Sequence, residues 1–376
     1  MRLFEVASVR PLNEKKLGRA FNHLEDFVFF YGSEGAVEAI QHLREIGTEK
    51  GAKTVRMKWD GKPTVYWGRE NAGDPLIVTG SNGWGRGVKT TSPKELFKFI
   101  AQGSGTAGKE RDAFGKQFAS LYPLLDAATP KDFVGFVYGD LMYFSRPELD
   151  NEGVYNFCPN EYSGTCYHVR NDSELGKRIA QSDAMIVGHG EFDAFGAPQD
   201  EQRALDDFSM FNQSSKLIVL GPVYNKKPVK IDTSALDRAE KYAKQYGKKI
   251  DQFLAGTQGL SDLKEIIYRF VNQTSKAKKL DQLSGKLFYE WLADSKVSAP
   301  KQQKIAELDK QAGSITNNIF ELVKMLQDVK DSVIDQIEGQ DADIWDTKGE
   351  GHVRYGNGKK FGNIKLVPRK RWQPPV

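Results

Sequence analysis

The sequence predicts an α+β fold, built on antiparallel sheet and interrupted by a helical insertion. Three observations predict it. Between positions 55 and 220, short runs of β-branched and aromatic residues alternate with glycine-containing turns. Between about 233 and 339 the strand patterns vanish, and apolar residues recur every three or four positions. Strand patterns return only in the last thirty residues, at 352–355 and 363–367. The simplest organisation is a sheet domain split by helices. Residues 1–232 form its first part, with 1–50 helical; 233–340 form the helical insertion; 341–376 supply closing strands that rejoin the sheet, and a basic tail.

The first helix is marked by Val37, Ile40, Leu43 and Ile46 at helical spacing. Val55 and Met57, then residues 64–67, read as paired strands around Asp60-Gly61, and 76–79 as another strand before the glycine-rich stretch 80–87. Further strands are predicted at 133–138, 167–169, 184–188 and 216–220. In the insertion, Ala235, Ala239, Tyr242, Tyr246, Ile250 and Phe253 mark one amphipathic helix, and Leu263, Ile266, Ile267 and Phe270 a second. After Ser298 and Pro300, which suit a helix start, Ile315, Ile319, Leu322, Leu326, Val329, Val333 and Ile337 form a seam. The seam reads as a bundle core rather than an intermolecular coiled coil, and a monomer is expected. There is no internal repeat.

With 376 residues, 39% hydrophobic and 28% charged, the chain can bury a large core, which excludes disorder. Two cysteines, Cys158 and Cys166, fit a reducing compartment. The first ten residues lack the apolar core of a secretory signal, and no apolar run approaches the roughly 18 residues of a spanning helix. No membrane association is expected, and the location predicted is cytoplasmic, that of the host if the source is viral. The net charge of +4 is too small to announce a polyanion partner. Its distribution says more, because residues 346–376 carry +6 and the rest of the chain −2. Such a segment is either a solvated tail or a phosphate-contacting one.

Lys58-Trp59-Asp60-Gly61 lies between two strand patterns, so the lysine emerges at a strand end and the glycine permits a tight turn. Alone, the tetrapeptide is weak. What raises it is the order of later pieces: Tyr138-Gly139-Asp140-Leu141 closing a hydrophobic strand, Tyr167 in a strand, Glu350-Gly351-His352-Val353, and Ile364-Lys365-Leu366-Val367. In this the chain resembles the covalent nucleotidyltransferase superfamily of ATP-dependent DNA ligases, RNA ligases and mRNA-capping enzymes. It looks closest to ligase-like proteins of large tailed phages. The resemblance covers the catalytic motifs in order, not the whole length. It implies the ligase adenylation fold and, since only nine residues follow Val367, no OB-fold domain in its usual place.

Carried over residue by residue, the resemblance puts Lys58 on the nucleophile that attacks the α-phosphate of ATP and becomes a phosphoramidate. Lys365 falls on the α-phosphate lysine, and Glu350 on the glutamate that assists the metal. Asp140 stands where a glutamate contacting ribose or metal is usual, or is a plain strand-end turn residue. Asp60 and Gly61 complete the nucleophile motif. Ser81 and Asn82 occupy the ribose-contacting turn, and Arg86 is the nearest arginine, off the usual spacing. Tyr167 either stacks on adenine or packs in the core. Where ligases commonly carry an arginine after the nucleophile motif, this chain has Lys62-Pro63. The second lysine of the last strand motif is missing, with Lys360 or Arg369 as its compensation. The implied cofactors are ATP and Mg²⁺, the latter on Asp140 and Glu350.

Other chemistry is poorly supported. Cys158, Cys166 and His168 have irregular spacing and no fourth zinc ligand nearby. His23 and His189 read as structural, and residues 80–87 lack the Gly-Lys-Ser/Thr ending of a phosphate loop. The function expected is an ATP-dependent polynucleotide ligase sealing 5′-phosphate to 3′-hydroxyl ends of DNA or RNA, as in DNA repair. In it Arg369, Lys370 and Arg371 contact backbone phosphates and Trp372 stacks on a base. Two alternatives remain open: an inactive nucleic-acid-binding member of the fold, and nucleotidyl transfer to a protein or small-molecule acceptor.

Overall fold

The computed structural model describes residues 21–102, 109–160, 165–198, 201–203, 205, 207–225, 227–256, 259–340, 343–346, 351–354 and 363–371. In chain order, β1 (Phe21–His23), α1 (Phe27–Ile46) and α2 (Glu49–Ala52) precede β2 (Val55–Met57), β3 (Thr64–Arg69) and β4 (Ile77–Gly80). Next come α3 (Ser81–Arg86), α4 (Pro93–Ala101), α5 (Lys109–Ala128), β5 (Gly135–Tyr143), β6 (Val154–Asn160), β7 (Thr165–Arg170), α6 (Glu174–Ile179), β8 (Ala184–Phe192) and β9 (Leu217–Leu220). Five helices follow: α7 (Thr233–Ala255), α8 (Leu263–Lys276), α9 (Gly285–Asp294), α10 (Ala299–Gln311) and α11 (Ile315–Glu338). The chain closes on β10 (Ile344–Asp346), β11 (His352–Arg354) and β12 (Asn363–Leu366).

These elements form two compact units. One comprises residues 1–55, 225–337 and 351–370, the other 56–224, 338–350 and 371–376. The first is mainly helical. Ala36, Ala39, Ile40 and Leu43 of α1 share a core with Leu236, Ala239 and Ile250 of α7 and with the whole α11 seam, every member of which is buried. The seam is therefore a bundle core, as its spacing predicts. Asp232 starts α7 by accepting a hydrogen bond from the Ala235 backbone N–H at 2.9 Å. The closing strands correct the expected architecture. β12 runs parallel to β1 and antiparallel to β11, and does not join the central sheet. The reason is burial: Ile364 and Leu366 point into the helical core.

The second unit holds a five-stranded sheet in the order β4-β3-β5-β8-β9, antiparallel except for the parallel β8–β9 pair. On one face Val65, Trp67, Val137, Leu141 and Ile186 pack against Leu96 of α4 and Phe118, Leu121 and Leu125 of α5. α4 begins with Ser92 capping the Glu95 N–H and Pro93 in the first turn. The other face carries two aromatic clusters, one around Trp59, Met142, Tyr167 and Val187, the other around Tyr66, Trp84, Phe136 and Phe192. A three-stranded antiparallel sheet, β10-β7-β6, contributes Tyr155, Phe157, Tyr167 and Val169 to the first of these clusters. Among the described residues no helix is long and apolar enough to cross a membrane.

Candidate functional site

The Lys58–Gly61 segment links β2 to β3 and is fastened at several points. The Lys62 N–H donates to the Leu141 carbonyl, and the Leu141 N–H to the Pro63 carbonyl, both at 3.0 Å, so the segment is tied to β5. Gly61 lies against that strand. A Cβ there would stand 2.7 Å from Asp140 Cβ, 2.8 Å from the Leu141 carbonyl oxygen and 2.8 Å from Met142 Sδ, so no larger residue fits without displacing β5. Trp59 is buried, its ring 4.6 Å from that of Tyr167. The Asp60 N–H donates to the Tyr167 hydroxyl at 2.6 Å, and the Asp60 carboxylate accepts from Asn160 Nδ2 at 3.2 Å. Lys58 itself is half-buried.

Between the two aromatic clusters the sheet carries a polar strip. On β5, Asp140 lies between Tyr138 and Met142; on β8, His189 lies between Val187 and Phe192. Thr64 Oγ1 donates to Asp140 Oδ1 at 2.8 Å, and His189 Nε2 lies 3.0 Å from Oδ2. His189 reaches Asp140 through a β-bulge: Gly139 opposes Gly188 while Tyr138 opposes Gly190, which leaves His189 as the extra residue. The flanking glycines are needed for space, since a Cβ on Gly188 would stand 2.1 Å from the Phe208 ring and one on Gly190 2.5 Å from the Arg203 carbonyl oxygen. The Tyr138 ring is 5.5 Å from that of His189, and burial raises the pKa of its hydroxyl, keeping it neutral. His189, read from the sequence as structural, is the bulge residue beside Asp140, and Gly-His-Gly inside a strand pattern is a bulge signal.

Tyr167 takes the core position that was one of its two expected settings, and several other predicted residues stand where the resemblance does not put them. Tyr167 is fully buried between Trp59 and Phe157, with ring centroids 4.6 and 5.9 Å away, so it is a core residue and not an open stacking face for adenine. Ser81, Asn82 and Arg86 lie on the short helix α3, not in a turn, and all three are exposed. Trp84 imposes this arrangement: it is buried, stacks on Tyr66 at 4.5 Å and donates from Nε1 to the Ala197 carbonyl at 3.0 Å. Asp140 has both carboxylate oxygens engaged, by Thr64 and His189, and a metal ion would have to share or displace these partners. Among the described residues no group of three or more His, Cys, Asp or Glu side chains could hold a metal ion. Those residues do not by themselves make the magnesium site that the resemblance implies. Glu350, Lys360 and Trp372 lie outside the described residues.

The basic tail is corrected most clearly. Arg369 is buried in the helical unit, its guanidinium 2.5 and 2.8 Å from the Asp26 carboxylate, 3.2 Å from Glu25 and 3.2 Å from Asn272 Oδ1. Lys330 completes the cluster, 2.7 Å from Glu25. Buried carboxylates demand such partners, so this arginine is spent inside the fold and offers nothing to phosphate at the surface. Lys370 pairs with Asp281 and Asp328, and Arg371 with Glu338. Lys365 lies in the helical unit, on β12 opposite His23 and Val353. Cys158 and Cys166 are joined in a disulfide, with Cα atoms 4.1 Å apart, and are not the thiol pair expected of a reducing compartment.

The structure thus brings Lys58, Asp60, Gly61, Asp140 and Tyr167 together in the sheet unit, with Thr64, Asn160 and His189 added. Chemically this arrangement offers an amine at the end of β2, two carboxylates held by hydrogen bonds, and an imidazole oriented by one of them. No curated protein and no solved structure matches the chain. Residues 19–79 and 118–372 match a family described as a family of unknown function, DUF6267. The match spans most of the sequence, and the chain therefore belongs to the DUF6267 family.

Proposed function

We propose that the protein is a nucleotidyltransferase working through a lysyl-AMP intermediate on Lys58, and that it seals 5′-phosphate to 3′-hydroxyl ends of a polynucleotide. One observation carries the reading: the Lys58–Gly61 segment is fixed on an antiparallel sheet with Gly61 seated directly against Asp140. A nucleophile needs such fixing, because orientation supplies much of the rate. In the proposed first step the Lys58 amine forms a P–N bond to the α-phosphorus of ATP, and pyrophosphate departs with the electron pair of the broken P–O bond. A polynucleotide 5′-phosphate oxygen then bonds to the adenylyl phosphorus as the P–N bond breaks and the Lys58 nitrogen keeps its electron pair and takes a proton; the 3′-hydroxyl oxygen, losing its proton to solvent, bonds to the 5′-phosphorus and AMP leaves with the electron pair of the broken anhydride bond. Asp60, held by Tyr167 and Asn160, maintains the shape of the segment through these steps.

A second reading has an observation in its favour. The basic segment expected to grip phosphates is largely engaged in internal ion pairs, with Arg369 buried, which favours adenylyl transfer to a protein or small-molecule acceptor. Nicked DNA, nicked RNA and single-stranded RNA with 5′-phosphates, each incubated with enzyme, ATP and magnesium, separate the two. Sealing of any of them supports the ligase reading. An enzyme that adenylylates itself and seals none sinks it and leaves the second.

A further inference from the structure

We propose that the Cys158–Cys166 disulfide is a redox latch on Asp60, and that opening it slows the chemistry of Lys58. The latch itself stands on geometry, and its consequence for rate rests on the nucleotidyl-transfer reading. The cross-link spans β6 and β7 where their pairing is irregular. Phe157 opposes Tyr167 and the next pair is Asn160 with Thr165, so both cysteines fall within the shifted interval. The two side chains that hold Asp60 flank the cross-link. Tyr167 follows Cys166 by one residue and takes the Asp60 N–H; Asn160 follows Cys158 by two and donates to the Asp60 carboxylate.

The two contacts differ in burial. Tyr167 is fully buried between aromatic rings and stays in place whether or not the cysteines are joined. Asn160 lies beyond the cross-link at the end of β6, half-buried and paired with Thr165, with the disulfide as the covalent tie beside it. Opening the disulfide therefore loosens Asn160 first, and with it the carboxylate two residues from Lys58. Cys158 is exposed, which gives a thiol access to its sulfur. A small dithiol attacks as thiolate at Cys158 Sγ, the Cys166 sulfur leaves as thiolate and takes a proton, and the second thiol of the reagent displaces Cys158. The protein gains two electrons and two protons, and the reagent leaves as its cyclic disulfide.

The test measures lysyl-AMP formation in a single turnover, and hydrogen exchange of peptides covering residues 56–64, before and after dithiothreitol. Reduction is expected to slow adduct formation about tenfold and to speed exchange around Asp60, with α4 and α5 unchanged; reoxidation restores both. The Cys158→Ser/Cys166→Ser double variant behaves as the reduced protein, and Asn160→Ala is slow in either state and no longer responds to dithiothreitol. Unchanged exchange around Asp60 on reduction overturns the latch, whatever the adduct does. Faster exchange with an unchanged adduct rate overturns its role in the chemistry. Absence of adduct in both redox states refutes the nucleotidyl-transfer reading, while the exchange data still decide whether the latch exists.

Discussion

Replacing Arg369 by alanine separates a core arginine from a nucleic-acid contact. The side chain is 4% exposed and faces carboxylates that are 1% and 0% exposed on Asp26 and Glu25. Its removal leaves Glu25 with Lys330 but takes from Asp26 both of its bonds to a cation. Breaking a buried pair from one side costs about 3–5 kcal/mol, because the stranded charge stays desolvated. At about 1.4 kcal/mol per factor of ten, amides of α1 and α11 that exchange through opening of the helical unit should exchange roughly 10²–10⁴ times faster. Lys370→Ala provides the internal contrast. Its ammonium is 33% exposed and its partners Asp281 and Asp328 more so, so the cost is below about 1 kcal/mol. Hydrogen exchange read by mass spectrometry gives both numbers. Exchange unaltered in Arg369→Ala, together with a shallower salt dependence of nucleic-acid binding, would refute the burial argument and restore the phosphate contact.

Two further outcomes follow from single side chains. Tyr167→Phe keeps the ring and its packing but strips the acceptor from the half-buried Asp60 N–H, a loss of about 0.5–1.5 kcal/mol; adduct formation should slow while ATP affinity holds. An unchanged rate would show that the ring alone matters, as it would in stacking on adenine. His352 is buried, and burial pushes its pKa down from 6.5 to about 4. A depressed folded value for a base means stability that is full above about pH 6.5 and is lost as pH falls through 4, by up to about 3 kcal/mol. Asp26 acts in the opposite sense, since burial raises its pKa to about 6, so its contribution is full below about pH 3.8 and fades as pH rises through 6. The difference in denaturation midpoint between wild type and His352→Leu isolates the histidine. It should change steadily between pH 6.5 and 4, and a constant difference would contradict the burial account.

What the sequence disclosed, and what it withheld, has a physical pattern. Helical periodicity marked α7, α8 and α11 because each has one apolar face with a single fate. The strands carrying Thr64, Asp140 and Tyr167 were legible because their inward residues alternate or run continuously apolar. Partner choice was not legible. Of the stripe Val37, Ile40, Leu43 and Ile46, the last three are buried and Val37 is exposed, its place in the core taken by Ala36 and Ala39; the stripe says that α1 is covered, not that α7 covers it, and the apolar Ile364 and Leu366 say the same of β12. Charge counting failed at Arg369 for a related reason: a sum over residues 346–376 cannot see Asp26 and Glu25, more than 300 positions away, waiting to bury a guanidinium. Residues 80–87 misled through their glycines, where Trp84 and its burial decide the backbone. Of the candidate site, the Lys58–Gly61 segment and Asp140 were readable as a motif. Thr64, Asn160 and His189 were not, because each is defined by a hydrogen bond across strands and by no spacing of its own.

The most direct test of the central claim is covalent labelling. Wild-type protein incubated with α-labelled ATP and magnesium should yield one adduct, acid-labile and alkali-stable, that maps to Lys58 and is absent from Lys58→Ala. A protein that takes up no label, or a label that persists unchanged in Lys58→Ala, would contradict it.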